Sequence, residues 1–305
     1  MDFSAPDVAR VLDLAARVKK SPAIYDTRLA GKSIAMIFAK QSTRTRISFE
    51  VGIHQLGGQA LNLSTSGGTG MQMGRGETVE DTARVLSRYV HAVVIRTFGQ
   101  EQVDGLAEHG SIPIVNALTD MYHPCQALAD LLTIREHLGD TQGKKLVYVG
   151  AANNVSNSLM LAGPRCGMDV VVCCPDSLRP NPRVLDRARS DAQAAGTRVA
   201  VETDPQVAVK HADVIYTDTW VSMGEEQQAK ELIAKLDGYQ VTRQMMEATG
   251  KDAPLFMHCL PAHRGEEVSA EVMDGRWSVV FDEAENRLHA QKAVLLLLLG
   301  GESWS

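Results

Sequence analysis

The feature that most narrows the folds open to this chain is its rhythm. Apolar runs of four to six residues alternate with amphipathic segments over the whole length. The runs are "SIAMIF" (33–38), "AVVIR" (92–96), "IPIVNA" (112–117), "KLVYVG" (145–150), "DVVVCC" (169–174), "RVAVE" (198–202), "DVIYTD" (213–218), "PLFMH" (254–258) and "WSVVF" (277–281). Many carry Val and Ile on successive positions, as a parallel strand buried on both faces must. The segments between them predict helices, among them "ETVEDTARVLSRYV", "PCQALADLLTIREHL", "NPRVLDRARSDAQAAG" and "AENRLHAQKAVLLLLL". Such alternation predicts an α/β protein with right-handed crossovers. At 305 residues it fits two medium domains, each with its own parallel sheet flanked by helices, with a boundary near 135–143 where "GDTQGKK" reads as a hinge. Ligands of such folds sit at the carboxyl ends of strands.

Charge and cysteine usage exclude several classes. A net charge of −6 argues against a nucleic-acid-binding protein. The N-terminal stretch lacks a basic segment followed by an apolar one, so no secretion signal is read. "AVLLLLLG" is far too short to span a membrane and predicts a buried helix. Five cysteines (Cys125, Cys166, Cys173, Cys174, Cys259) with no scaffold spacing fit reduced thiols in a cytoplasmic protein.

Four strand–helix junctions carry chemistry. In "FAKQSTRTRISFE", Lys40, Arg44 and Arg46 stand with Ser42, Thr43 and Thr45 where the run 33–38 gives way to a helix predicted to begin close to Ser42. Phe49, Ile53 and Leu56 continue at helical spacing until Gly57 and Gly58. Free N–H groups, hydroxyls and a two-toothed guanidinium at a helix start suit a phosphate, although a solvated helix start with surface arginines would read the same way. In "YHPCQALADLL", His123 precedes a Pro at the first helical position and Gln126 follows on the first turn. Both can donate to a carbonyl oxygen that becomes anionic; the plainer reading is a capping His with an exposed Gln.

In "VIYTDTWVSMGEE", Asp218 ends a strand, where it can receive an ammonium group, and the Ser222-Met223-Gly224 loop is a candidate lid. In "PLFMHCLPAHRGEE", His258, Cys259 and His263 suggest zinc, but the spacing matches no common ligand pattern and a fourth ligand is missing, so no metal is expected. A nucleophilic Cys paired with His stays open. "YVGAANNVSNSL" stands where a dinucleotide fingerprint would, yet it keeps one glycine of that pattern and presents Asn153 and Asn154 instead, donors and acceptors suited to an amino-acid ligand.

Together the junctions resemble the carbamoyltransferase family. "STRTR" and "HPCQ" are similar to its carbamoyl-phosphate motifs, and "DTWVSMG" and "HCLP" to the amino-acid motifs of its ornithine members, with order and spacing agreeing from about residue 30 to residue 290. The resemblance implies a carbamoyl-phosphate-binding domain, 1–138, onto which the last helix, 285–305, packs back, and an ornithine-binding domain, 139–284. It also implies a homotrimer with active sites at subunit interfaces. Carried over by motif, Ser42, Thr43, Arg44 and Thr45 would hold phosphate, and Gln72 in "GMQMGRGET" would reach in from the neighbouring subunit. Arg96, His123 and Gln126 would contact the carbamoyl portion, and Arg287 in "FDEAENR" would complete its site. Cys259 and Leu260 would lie beside the reacting centre, while Asn154, Asp218, Ser222 and Met223 would bind ornithine. Lys40 matches a lysine common just before the phosphate motif. One departure is Ala151, where many members have Asp after the glycine.

The implied reaction is attack by the δ-amine of L-ornithine on the carbonyl carbon of carbamoyl phosphate, giving citrulline and phosphate, as a step of arginine biosynthesis or its reverse. It needs no cofactor, since phosphate already leaves well. Arg44, Arg96, His123, Asp218 and Cys259 would be the catalytic set. Rival readings are transfer to putrescine, N-acetylornithine or aspartate, and a non-catalytic small-molecule sensor that keeps the fold.

Overall fold

The computed structural model describes residues 3–40, 42–64, 76–221 and 229–303. The chain begins with helix α1 (Ala5–Lys20) and strand β1 (Ser33–Phe38), then α2 (Arg44–Gln55), β2 (Gln59–Ser64), α3 (Val79–Tyr89) and β3 (Ala92–Arg96). It continues through α4 (Gln100–His109), β4 (Ile114–Leu118), α5 (Pro124–Leu138), β5 (Lys145–Val149) and α6 (Asn154–Ala162). β6 (Asp169–Cys173), α7 (Pro182–Ala195), β7 (Val199–Glu202), α8 (Pro205–Ala208) and β8 (Val214–Thr217) follow. The last elements are α9 (Ala229–Lys235), α10 (Arg243–Glu247), β9 (Leu255–His258), α11 (Ala270–Met273) and α12 (Val280–Leu299).

The strands form two sheets, one of order β2-β1-β3-β4 and one of order β7-β6-β5-β8-β9. All named strand pairs are parallel. The chain divides into two units, Ala9–Leu128 with Arg287–Ser305, and Met1–Val8 with Ala129–Asn286. In the first, Ala35, Ile37, Val93 and Ile95 of the sheet pack with Ala83, Val103 and Leu106 of α3 and α4. In the second, Val147, Val149, Ile215 and Phe256 pack with Met245, Met246 and Val272. Each such aliphatic side chain contributes roughly 1.5–3 kcal/mol when fully withdrawn from water. No helix among the described residues is long and apolar enough to cross a membrane.

Two elements differ from the sequence reading. Residues 277–281 are not a strand. Ser278 makes only an isolated bridge to Phe256, and the Val279 carbonyl already accepts the Glu283 N–H as α12 starts. The apolar run therefore spills onto the helix, where Phe281 is exposed. Strand β2 was not expected, because its sequence alternates: Gln59 and Asn62 are exposed while Leu61 and Leu63 pack against the first core. An edge strand needs only one apolar face.

The helix after β1 begins at Arg44 with Thr43, not Ser42, at its N-cap, and Thr43 makes no side-chain capping bond. It ends as expected at Gly57, which has φ +80° and donates its N–H to the His54 carbonyl. A Cβ there would lie 2.8 Å from the Asp26 carbonyl oxygen. Replacing Gly57 by Ala therefore combines a left-handed backbone with a clash against main chain. A loss of about 1–3 kcal/mol is expected, read as a lower urea midpoint of the unit holding β1.

Candidate active site

In the unit containing the four-stranded sheet, the charged residues gather at the carboxyl ends of strands. β3 ends in Arg96, and α5 opens after His123, whose carbonyl accepts the Gln126 and Ala127 N–H groups. Thr45, Arg96, His123, Gln126 and Arg287 are all buried. Arg287 donates to the Gln126 side-chain carbonyl at 2.6 Å and to the Thr45 hydroxyl at 3.1 Å. Arg96 donates to the same hydroxyl at 3.5 Å. Neutral groups accept these three bonds, so the guanidinium charges are fixed in place without being cancelled by them.

His123 feels this field. Burial first, then the charges of Arg287, Arg96 and Arg44, hold its imidazole well below the usual range, so it is neutral at physiological pH. A neutral imidazole can donate one N–H to an oxygen without adding a further buried cation. Gln126 is buried, not exposed, and its side-chain carbonyl accepts from Arg287. Arg44 opens α2 on the exposed side, with Thr43 exposed and Ser42 half-buried. Lys40 lies 4.4 Å over the Phe98 ring and is ion-paired with Asp120. Burial pushes the Cys125 thiol of the same unit up to about 11.

The second unit gathers a different set at the carboxyl ends of β5, β8 and β9. Asn153 caps α6: its carbonyl oxygen accepts the Val155 and Ser156 N–H groups at 2.9 and 3.1 Å, and Ser156 returns a bond to its backbone N–H. The remaining NH₂ of Asn153 donates to Asp218 at 2.7 Å. Asp218 also accepts the Thr219 N–H at 2.8 Å and the Cys259 thiol at 3.1 Å. Asn154 is the first residue of α6. Ala151 braces this loop through its carbonyl, which accepts the Tyr148 hydroxyl at 3.1 Å, so the brace does not depend on the side chain at 151. Gly150 adopts φ +132° beside it, a conformation that L side chains rarely take.

Cys259 is no activated nucleophile. Burial first, then the Asp218 carboxylate, pushes its thiol well above the ordinary range. Its neighbour His258 cannot serve as its base. The Nδ1 atom of His258 accepts the Leu260 N–H at 2.8 Å, so Nε2 carries the proton toward Glu267, 3.2 Å away. The same bonds weigh on one of two trios among the described residues whose ligand atoms lie within 4.8 Å of one another: in Asp218, His258 and Cys259 the histidine has no lone pair left for a metal, and the other trio is His263, Glu266 and Glu267. Burial pushes Glu267 up, but bonds from His258 and from the His263 and Glu267 N–H groups prevail and hold it below the usual range. Leu260 has φ +60°.

The structure thus brings Thr45, Arg96, His123, Gln126 and Arg287 together in one unit, and Asp218 and Cys259 in the other, with Asn154 and Leu260 on adjoining backbone. Gln72, Ser222 and Met223 lie outside the described residues. Glu267 and Glu283 were not singled out from the sequence, and Asn153, read there as a ligand-facing amide, is the cap of α6 and a partner of Asp218. The N-x-x-S capping pattern, Asn153 to Ser156, was the one local signal available.

Comparison with known proteins agrees with this layout. The family model of the aspartate/ornithine carbamoyltransferase carbamoyl-P binding domain matches residues 1–136, and that of the Asp/Orn binding domain matches residues 142–298. The ornithine carbamoyltransferase of Methanobrevibacter smithii is 52% identical over 289 residues, 95% of this chain and 94% of that protein. That of Geobacillus stearothermophilus is 52% identical over 301 residues, 98% and 95% of the two chains. The solved ornithine carbamoyltransferase of Pyrococcus furiosus superposes with a TM-score of 0.94 at 48% identity, covering 99% of this chain and 96% of its own. With buried guanidinia at one set of strand ends and a carboxylate–thiol pair at the other, the chain belongs to the aspartate/ornithine carbamoyltransferase family.

Proposed function

We propose that this protein transfers the carbamoyl group of carbamoyl phosphate to the δ-amine of L-ornithine, yielding L-citrulline and phosphate. The observation that carries the reading is the pair of buried guanidinia on one hydroxyl: Arg96 and Arg287 are 7% and 3% exposed and both donate to Thr45. Withdrawing two such cations from water costs several kcal/mol apiece, a cost a bound dianion offsets. Relatives named ornithine carbamoyltransferase, matched over nearly their whole length, support the substrate pair.

On this reading residues 1–138 with 285–305 bind carbamoyl phosphate, and residues 139–284 bind ornithine. Ser42, Thr43, Arg44 and Thr45 take the phosphate at the start of α2, where backbone N–H groups and the helix dipole add to the guanidinium. In the homotrimer that the family resemblance supports, Gln72 of the neighbouring subunit joins them. Arg96, His123, Gln126 and Arg287 hold the carbamoyl oxygen, with Cys259 and Leu260 beside the reacting carbon. Asn154, Asp218, Ser222 and Met223 hold ornithine. As the neutral amine attacks, negative charge grows on the carbonyl oxygen, where Arg96 and the His123 N–H stabilise it. The C–O bond to phosphate then breaks, the attacking nitrogen's surplus proton leaves with the phosphate as its hydrogen phosphate, and Arg44 and the helix start take up the charge of the leaving group. Five free thiols fit a cytoplasmic setting, and the product fits arginine biosynthesis.

Three outcomes are expected. Carbamoyl phosphate mixed with ornithine, putrescine, N-acetylornithine or aspartate gives ureido product with ornithine alone. Equal or better turnover of another acceptor would reassign the substrate, and no product with any would leave a binding protein.

At saturating ornithine, turnover rises from about pH 7 to pH 9. The attacking ammonium resembles that of lysine, with an ordinary pKa near ~10.4, and only its neutral form reacts. His123, held low, is already deprotonated across that range and adds no inflection. A flat profile would refute this assignment of the rising limb.

Arg44→Lys keeps charge but removes the two-toothed grip, and should lower kcat/KM for carbamoyl phosphate by about tenfold or more. Unchanged kinetics and phosphate affinity in that variant would remove Arg44 from the phosphate site.

A further inference from the structure

Buried beneath the Asp218–Cys259 contact lies a second acidic residue that the reaction as described does not use. Glu283, in the first turns of α12, is fully buried. Its Oε1 accepts the Tyr216 hydroxyl at 3.0 Å, and its Oε2 accepts the His258 backbone N–H at 2.9 Å. Tyr216 stands two residues before Asp218 on β8, and His258 stands one residue before Cys259 on β9.

The geometry follows from the sheet edge. β9 is the outermost strand of its sheet, so alternate N–H groups point away from β8. That of Phe256 is taken by the Trp277 carbonyl at 2.7 Å, and the next, that of His258, by Glu283. Regular pairing of the two strands stops at Thr217 and His258. Beyond that point nothing in a sheet obliges the two chains to stay adjacent, yet Asp218 and Cys259 are 3.1 Å apart. One carboxylate reaching both strands supplies the missing constraint.

We propose that Glu283 is a positioning residue for the ornithine end of the reaction, its carboxylate tying the tips of β8 and β9 so that Asp218 and Cys259 meet. The inference rests on the reading of Asp218 and Cys259 as ornithine-side groups. Glu283 is itself hydrogen-bonded to Asp130 of α5, also fully buried. Two carboxyls in such contact share one proton, since two adjacent charges out of water would repel. The groups facing Glu283 are Asp130 from α5, the Tyr216 hydroxyl from β8 and the His258 N–H from β9, with Cys259 and Asp218 beyond them. Burial raises Glu283, so the folded pair keeps a proton that the unfolded chain releases near ~4.3. Its contribution to stability is therefore complete at acid pH and is lost as pH rises through the folded value.

The test uses wild type, Glu283→Ala, Glu283→Gln and Tyr216→Phe. Glu283→Ala should raise the KM for ornithine or lower kcat by about tenfold while the KM for carbamoyl phosphate stays within about twofold. Glu283→Gln should recover to within about threefold of wild type, because the amide oxygen still accepts the His258 N–H while the NH₂ donates one hydrogen to the Tyr216 oxygen, whose own proton turns away, and the other to Asp130 without a shared proton. Tyr216→Phe removes one tie and should shift the ornithine terms alone, by less.

Thermal midpoints between about pH 5 and 8.5 supply a readout independent of turnover: the wild type should fall more steeply with pH than Glu283→Gln. Parallel pH curves, an active Glu283→Ala with wild-type ornithine constants, or a Glu283→Gln as impaired as Glu283→Ala would each overturn the proposal. Should Glu283→Ala not fold, Tyr216→Phe and the two pH curves decide. A wild type that does not carbamoylate ornithine defeats the functional reading itself, whereas an active wild type with insensitive variants defeats only the role of Glu283.

Discussion

Parallel pairing sends the carboxyl ends of all strands in a sheet to one edge, and that constraint organises everything polar in this protein. In the first unit it places the ends of β1, β3 and β4 side by side, so Lys40, Arg96 and the segment leading to His123 converge although they are far apart in sequence. In the second it does the same for β5, β8 and β9, bringing Asn153, Asp218 and Cys259 within hydrogen-bonding reach. Strand side chains that pack into the cores are chiefly aliphatic, such as Ile37 and Ile95 in one unit and Val147 and Ile215 in the other, and offer nothing to a ligand. Chemistry is left to the residues just past each strand, where the backbone is no longer committed to a ladder and its N–H groups point outward.

The two edges differ in electrostatic character. One carries the buried guanidinia of Arg96 and Arg287, which donate to the neutral oxygens of Thr45 and Gln126. Burial first, and then the charges of Arg287, Arg96 and Arg44, keep the His123 imidazole neutral there, and a neutral imidazole is still a donor. The other edge carries Asp218, with a thiol and an amide aimed at it. Those two bonds and the Thr219 N–H fix the position of the carboxylate.

How much of this could be read beforehand depended on whether the deciding contact was local. Buried parallel strands announce themselves by successive Val and Ile, so β1, β3, β5 and β6 were legible from composition alone. β2 was not, because an edge strand with Gln59 and Asn62 facing solvent looks like a loop. The run 277–281 misled for the converse reason: Trp277, Val279 and Val280 are apolar enough for a strand, but the backbone is taken up by α12. At the first junction the helix start was found to within a residue, since hydroxyls cluster there regardless of which one caps. The burial of Gln126 could not be inferred, because it depends on Arg287, far along the chain. Glu283 was invisible for the same cause, as an acidic residue in the first turn of a helix is ordinary until its partners on β8 and β9 are known.

The Cys259 thiol shows why contacts must be weighed against charge before a role is assigned. By spacing alone a Cys beside a His invites nucleophilic catalysis. Here His258 spends one ring nitrogen on the Leu260 N–H and the other on Glu267, while the thiol donates to a carboxylate that disfavours its ionisation. A group so placed is a neutral hydrogen-bonding partner, and its fitness lies in that neutrality. A thiolate next to Asp218 would add a second negative charge and hold an approaching amine as ammonium, the form that cannot attack. Kept protonated, the thiol fixes one oxygen of Asp218, and on the proposed reading it would leave that carboxylate alone to orient the amine. The same burial that makes Cys259 a poor nucleophile thus makes it a suitable neighbour for one.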